Sequence, residues 1–316
     1  MKYRRLGKAG IKVSEISLGG WLTFGGSVDE ETTARIIGTA IDHGVNFIDL
    51  ADIYARGEAE RVCGRVLKNH TRTDLVISSK LFWPMTENIN DRGLSRKHLF
   101  ESIDKTLARL QTDYLDIYFC HRFDPDTEIE EVVRAMDDLI RQGKILYWGT
   151  SVWEAGQIAT AAAVADEYFC YRPQVEQPRY NMIDRHIEDE IMPTCAGHGM
   201  GLVVWSPLAM GLLTGKYSND IPEGSRAASS EWLKNILTEE NLGKVSRLSA
   251  IADDLNVTTA QLALAWILRR PEISSAITGA THPEHIESNV LASDIALESS
   301  VIATIQGILN PDTVSD

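Results

Sequence analysis

Short apolar runs alternate along this chain with longer stretches in which apolar residues return every three or four positions, the periods of buried strands and one-sided helices. Residues 3–17 alternate apolar and polar around Gly7 and Gly10, predicting a short hairpin that leads into a first strand from Glu15 to Leu18. Further strands are predicted from Asn46 and over 75–79, 115–120, 145–149, 173–176, 202–205 and 274–278. Between them, Ile36, Ile37, Ala40 and Ile41 make one helical stripe behind a cap at Asp29, and Leu99, Ile103, Leu107 and Leu110 make another behind Ser95. Helices are also expected over 57–68, 129–140, 153–165, 185–198, 231–253, 258–269, 283–291 and 297–308. A long insertion over 207–230 interrupts the rhythm, and long loops inside compact domains are usually functional.

Strands that are apolar throughout, each followed by a helix, indicate a parallel sheet covered on both faces. Strand number and length favour a closed (β/α)8 TIM barrel over an open doubly wound sheet. The predicted fold is therefore α/β: one domain over residues 1–316, with an N-terminal β-hairpin, a long loop after strand seven and extra helices. No G-x-G-x-x-G follows the first strand, which weakens the Rossmann alternative.

Composition narrows the partners. The 316 residues carry a formal charge of −14, which argues against nucleic acid or an anionic membrane surface as a partner. Cys63, Cys120, Cys170 and Cys195 form no CxxC pair and read as free thiols of a reducing compartment; no metal site is expected. The first residues lack a signal peptide's apolar run, and no segment approaches the roughly 18 apolar residues of a membrane span. A cytoplasmic location is expected.

Three consecutive strands end in groups that move or steer a proton. Asn46 to Tyr54 runs from an apolar strand into a carboxylate, Asp49, and a phenol, Tyr54; the third strand delivers Lys80 and the fourth His121. A phenol with a reference pKa of about 10 is a poor acid at neutral pH, and a neighbouring ammonium group lowers that value. A carboxylate paired to the lysine would hold it charged, and a histidine would orient a substrate oxygen, making a proton-donating centre for carbonyl reduction. Each group alone also fits a packed or solvated strand end; their coincidence on three consecutive strands raises the chemical reading, while spacing alone does not prove that they converge.

Specific strings then carry a resemblance over nearly the whole chain: Tyr3-Arg4-Arg5-Leu6-Gly7-Lys8, Trp21-Leu22-Thr23-Phe24-Gly25-Gly26, Gly93-Leu94-Ser95-Arg96-Lys97-His98, Tyr147-Trp148-Gly149-Thr150-Ser151, Trp205-Ser206-Pro207-Leu208-Ala209 and Gly215-Lys216-Tyr217. The chain resembles the aldo-keto reductases, and within them the group containing the β subunits of voltage-gated potassium channels and their bacterial relatives. The resemblance implies a barrel holding NADP(H) at its C-terminal face, a small-molecule carbonyl or alcohol substrate, and a homo-oligomer in some relatives. It carries the family's tetrad onto Asp49, Tyr54, Lys80 and His121, with Tyr54 as general acid or base. The channel β subunits have asparagine where this chain has His121, so the resemblance favours an active reductase over a cofactor-binding, redox-sensing regulatory subunit.

By the same resemblance, Ser151, Gln177 and Trp205 meet the nicotinamide end of the cofactor and Ser206, Leu208 and Lys216 its pyrophosphate, and Trp21 is a further cofactor contact. Arg226, Gly279, Thr281, His285 and Asn289 meet its adenosine end. Trp21, Phe82 and Trp83 would wall an aromatic substrate pocket. The pattern departs from the channel group at Val152, where arginine is expected, and at His285 and Ser288. No lysine or arginine lies between Gly279 and Asn289 to meet a 2′-phosphate, so NAD(H) stands as the alternative cofactor.

Overall fold

A computed structural model describes residues 1–217 and 235–310. Eight parallel strands close into a barrel: β3 (Ile16–Gly19), β4 (Phe47–Asp49), β5 (Val76–Leu81), β6 (Leu115–Cys120), β7 (Ile145–Thr150), β8 (Val175–Glu176), β9 (Gly201–Trp205) and β10 (Ile273–Thr278). Each pairs with the next in that order, and β10 returns to β3. Before them, β1 (Tyr3–Arg5) and β2 (Lys12–Ser14) form an antiparallel hairpin with Tyr3 opposite Ser14. The (β/α)8 expectation and the hairpin are both met.

Helices α1 (Glu30–Asp42), α2 (Glu58–Leu67), α3 (Arg96–Leu110), α4 (Ile129–Arg141), α5 (Ala155–Glu167) and α6 (Ile191–His198) follow the strands in turn. After β9 come α7 (Glu239–Asp254) and α8 (Thr259–Leu268), and after β10 come α9 (Pro283–Val290) and α10 (Ser299–Leu309). The expected caps form: Asp29 accepts from the Thr32 N–H, and the Ser95 hydroxyl accepts from the His98 N–H.

Alternation along each strand divides the side chains between two cores. Phe47, Val76, Ile117, Phe119, Val175, Val203 and Ile277 fill the barrel interior. Their outward neighbours, among them Ile48, Ile77, Tyr118, Cys120, Trp148 and Val204, join the larger core beneath the helices. Continuing the inward row toward the strand C-termini leads to Asp49, Lys80, His121, Ser151 and Gln177, so the packed apolar layer is the floor of a polar one.

The hairpin seals the barrel's other end, where Leu6, Ala9 and Val13 join the interior cluster. There the chain of Gly7 lies against that of Gly199 and Gly201; a Cβ on Gly7, which has φ +58°, would stand 2.3 Å from the Gly199 carbonyl oxygen. Arg4 ties the hairpin to the last strand, donating to the carbonyls of Leu268, Arg270 and Ile273 while pairing with Glu15 at 2.6 Å.

Three local expectations are corrected. The helix predicted over 185–198 is a short turn at His186–Glu188 followed by α6, because Pro193 is tolerated only in a helix's first turn and so sets the start at Ile191. The helix predicted from 231 begins at Glu239, where Thr238 caps it; residues 231–234 lie outside those described. The insertion after β9 opens with a 3-10 turn over Ala209–Thr214 rather than plain loop, and its part from residue 218 onward lies outside the described residues. All four cysteines are free thiols, and no helix among the described residues is long and apolar enough to cross a membrane.

Candidate active site

The loops at the strand C-termini enclose a cavity of about 730 Å³. On its floor Lys80 is fully buried, with a side-chain exposure of 0%, and its ammonium donates to Asp49 Oδ2 at 2.6 Å, the Leu50 carbonyl at 2.7 Å and Tyr54 Oη at 3.2 Å. Asp49 also accepts from Ser78 Oγ at 2.6 Å and Gln177 Nε2 at 3.0 Å. Three donors therefore converge on the Asp49 carboxylate, which pairs directly with the ammonium. Burial alone would drive the proton off Lys80, but Asp49 and the Tyr54 phenol outweigh it, and the ammonium is held above its ordinary value.

Tyr54 departs from expectation in electrostatics, not position. Burial pushes its phenol above 10; Lys80 pulls it down without overcoming that push. The ammonium is therefore a hydrogen-bond donor to a protonated phenol and does not generate a resting phenolate. His121 stands beside it, ring centroids 6.0 Å apart and nearly perpendicular. Burial and the neighbouring charges of Lys80 and Arg122 hold His121 well below its ordinary pKa, so it is a neutral imidazole, and its Nδ1 is buried without a partner.

The backbone around the cavity is strained. Among the described residues, seven of the ten non-glycine residues with positive φ lie in loops at this end of the barrel: Leu22, Ala55, Arg56, Val152, Ser206, Ala209 and Met210. Such conformations persist where surrounding contacts impose them. Ala55 and Arg56 turn the chain directly after Tyr54. Val152, β-branched and at φ 58°, is held by Glu176, whose Oε1 accepts the Val152 N–H at 2.6 Å while Oε2 accepts the Thr150 hydroxyl at 2.5 Å. That clamp sets Ser151, which donates to the Gln177 carbonyl at 2.9 Å.

Of the residues singled out from the sequence, Asp49, Tyr54 and His121 line this cavity together with Trp21, Ser151, Gln177, Trp205, Ser206, Leu208, Lys216, Gly279, Thr281, His285 and Asn289. Lys80 lies just beneath it. Trp83 lines it but Phe82 does not, and Trp21 sets its ring edge-on to Trp205 at 6.1 Å. Arg226 lies outside the described residues. Sequence reasoning missed Arg122, Thr258 and Met210 on the wall. Arg122 follows His121 directly and was legible as a strand-end residue, whereas Thr258 reads only as the cap of α8, which it also is.

A buried Asp–Lys–Tyr chain thus opens on a cavity at the strand C-termini of a closed parallel barrel, the end at which such barrels carry their chemistry. Comparison with known proteins gives the family: residues 15–310 match the model of the aldo/keto reductase family, and this chain belongs to it. Members of that family are NAD(P)-dependent oxidoreductases. The chain is 48% identical over 303 residues to a probable voltage-gated potassium channel subunit beta of Arabidopsis thaliana, covering 93% of this chain and 92% of that protein. It is 43% identical over 319 residues to a probable voltage-gated potassium channel subunit beta of Oryza sativa subsp. japonica, covering 98% and 97%.

Proposed function

We propose that this protein is an NADP(H)-dependent carbonyl reductase in which Tyr54 is the general acid. The observation that carries the reading is the hydrogen-bonded chain Asp49–Lys80–Tyr54, which opens into the cavity beside a neutral His121. Tyr54 gives its proton to the carbonyl oxygen, and the Lys80 ammonium, already donating to Oη, stabilises the phenolate left behind. Asp49 keeps Lys80 charged through that change. His121, uncharged, orients the carbonyl oxygen by hydrogen bonding without competing as the acid. When bound, the nicotinamide supplies the hydride to the carbonyl carbon. A phenol held above 10 starts every cycle protonated, which supports reduction as the working direction.

The cavity fits a dinucleotide. Ser151 and Gln177 offer polar groups for the nicotinamide amide, with Trp205 and Trp21 beside them. Ser206, Leu208 and the Lys216 ammonium suit the pyrophosphate. A side chain on Gly279 would project into open space, and Thr281, His285 and Asn289 stand around it for the adenosine end, near the N-terminus of α9. His285 is held below its ordinary value by burial, His282 and Lys216, and it stands with Thr281 among the donors that a 2′-phosphate would meet. NADP(H) is therefore the reading, with NAD(H) as the alternative.

The test is oxidation of NADPH and NADH with aromatic and sugar aldehydes, comparing the native protein with Tyr54→Phe. The variant is expected to lose at least about 100-fold in kcat with nucleotide affinity retained. Nucleotide binding without reduction of any carbonyl would return the alternative reading, a redox-sensing regulatory subunit.

A further inference from the structure

Resting on that reading, we propose that Arg122 is a specificity residue that receives an anionic group carried by the carbonyl substrate, so that the preferred substrates are short oxo acids or oxo phosphates. Among the described residues every other half-buried arginine has a carboxylate within ion-pair distance, as Arg4 has Glu15, Arg72 has Asp116, Arg109 has Glu60 and Arg185 has Glu188. Arg122 does not. Among the described residues no carboxylate comes within ion-pair distance of it, although it lines the cavity beside Tyr54, His121 and Trp83. Its Nη1 donates to the His121 carbonyl, and its guanidinium carbon lies 5.7 Å from the centre of the Trp83 ring, so the fork is held while most of its N–H groups remain unused.

The surrounding carboxylates do not answer it. Among the described residues Asp49 is the only acidic one on the cavity wall, and Lys80 holds it at 2.6 Å. Glu176 acts on Arg122 through space, but its oxygens accept from Thr150, Val152 and Trp153. Nor does proton transfer need a second cation, since Lys80 already donates to the phenol. The cofactor's phosphates have their own group at Lys216, Thr281 and the start of α9, a different set of neighbours from those of Arg122. A partly buried, preorganised guanidinium at the reacting end of a pocket calls for an anion that offers its fork two oxygens, a carboxylate or a phosphate, carried by the carbonyl substrate.

The experiment compares kcat/KM for matched pairs, 4-carboxybenzaldehyde against its methyl ester and glyceraldehyde 3-phosphate against glyceraldehyde, in native protein, Arg122→Leu and Arg122→Lys. The native ratio is expected to favour at least one anion by about tenfold or more at low salt, to collapse toward one in Arg122→Leu and to recover in part in Arg122→Lys. The pair that responds tells a carboxylate site from a phosphate site. A uniform fall across both members of each pair would mean that Arg122 acts only electrostatically on Tyr54, and a loss confined to NADPH affinity would mean that it serves the cofactor; either overturns the proposal. Calorimetric binding of 4-carboxybenzyl alcohol against benzyl alcohol gives a readout without turnover. A charge preference there that is lost in Arg122→Leu sustains the anion site even if no aldehyde is reduced, and no preference there or in the rates refutes it.

Discussion

Lys80→Met is the most informative single perturbation, because it removes the cation of a buried pair while nearly conserving volume. The side chains of Lys80 and Asp49 are 0% and 4% exposed and 2.6 Å apart. Removing one partner of such a pair costs about 3–5 kcal/mol, since the remaining charge is left buried. Ser78 and Gln177 still donate to Asp49, which favours the lower end, while the Leu50 carbonyl loses its donor, which adds about 1 kcal/mol. The expected loss is about 4 kcal/mol, read as a fall in the urea midpoint followed by tryptophan fluorescence. Asp49→Asn combined with Lys80→Met removes the stranded charge and should regain about 2 kcal/mol, giving a coupling well outside additivity. A loss under about 1 kcal/mol with an additive cycle would mean that the pair is not formed as described. Activity supplies a second readout, because without the ammonium the phenolate formed during proton transfer has no counter-charge and turnover should fall with Tyr54 still in place.

Asp52 is fully buried, and burial followed by the nearby Glu60 charge raises its carboxyl to about 7. Below its unfolded value near 4 it is neutral in both states; as pH rises to 7 the unfolded chain gives up the proton first, so stability is lost across that window. Asp52→Asn should accordingly gain on the native protein between pH 4 and pH 7, by up to about 4 kcal/mol, as measured by denaturation at a series of pH values. Carbonyl reduction should stay level from pH 6 to 9 and fall above 10 as Tyr54 ionises; an acid limb near 6.5 in kcat/KM would contradict a neutral His121. Gly7→Ala places a methyl group against backbone at 2.3 Å and should cost about 3 kcal/mol or more in thermal or urea unfolding, where Gly10→Ala, with nothing within 4 Å, should be nearly neutral.

The barrel and the gathering of the candidate residues at one of its ends were legible because both follow from a period of two. A strand whose inward row runs from apolar to Asp49, Lys80 or His121 announces an apolar floor and a reactive rim. The sense of the Tyr54 shift was not legible: the sequence places a cation beside a phenol but says nothing of how much water reaches it, and burial decides the sign. The break before α6 followed from Pro193 and was obscured by the apolar period around it. The Glu176 clamp was hidden because an outward-facing acid on β8 looks like a surface residue until the loop at Val152 folds over it. Arg122 went unremarked because a half-buried guanidinium without a carboxylate is visible only once the half-buried arginines around the fold have been placed beside theirs.

The seam between β10 and β3 has a bearing on how the molecule is made. It joins residues as much as 261 positions apart, as where the Thr278 hydroxyl donates to the Ser17 carbonyl. Contacts of that span are slow to form, and during synthesis the last strand leaves the ribosome long after the first. Until it arrives, the early strands exist as an open ribbon with β3 at one raw edge, a template for pairing with another nascent chain. Yield in the cell should therefore be set more by protection of that edge during translation than by the equilibrium stability of the finished barrel.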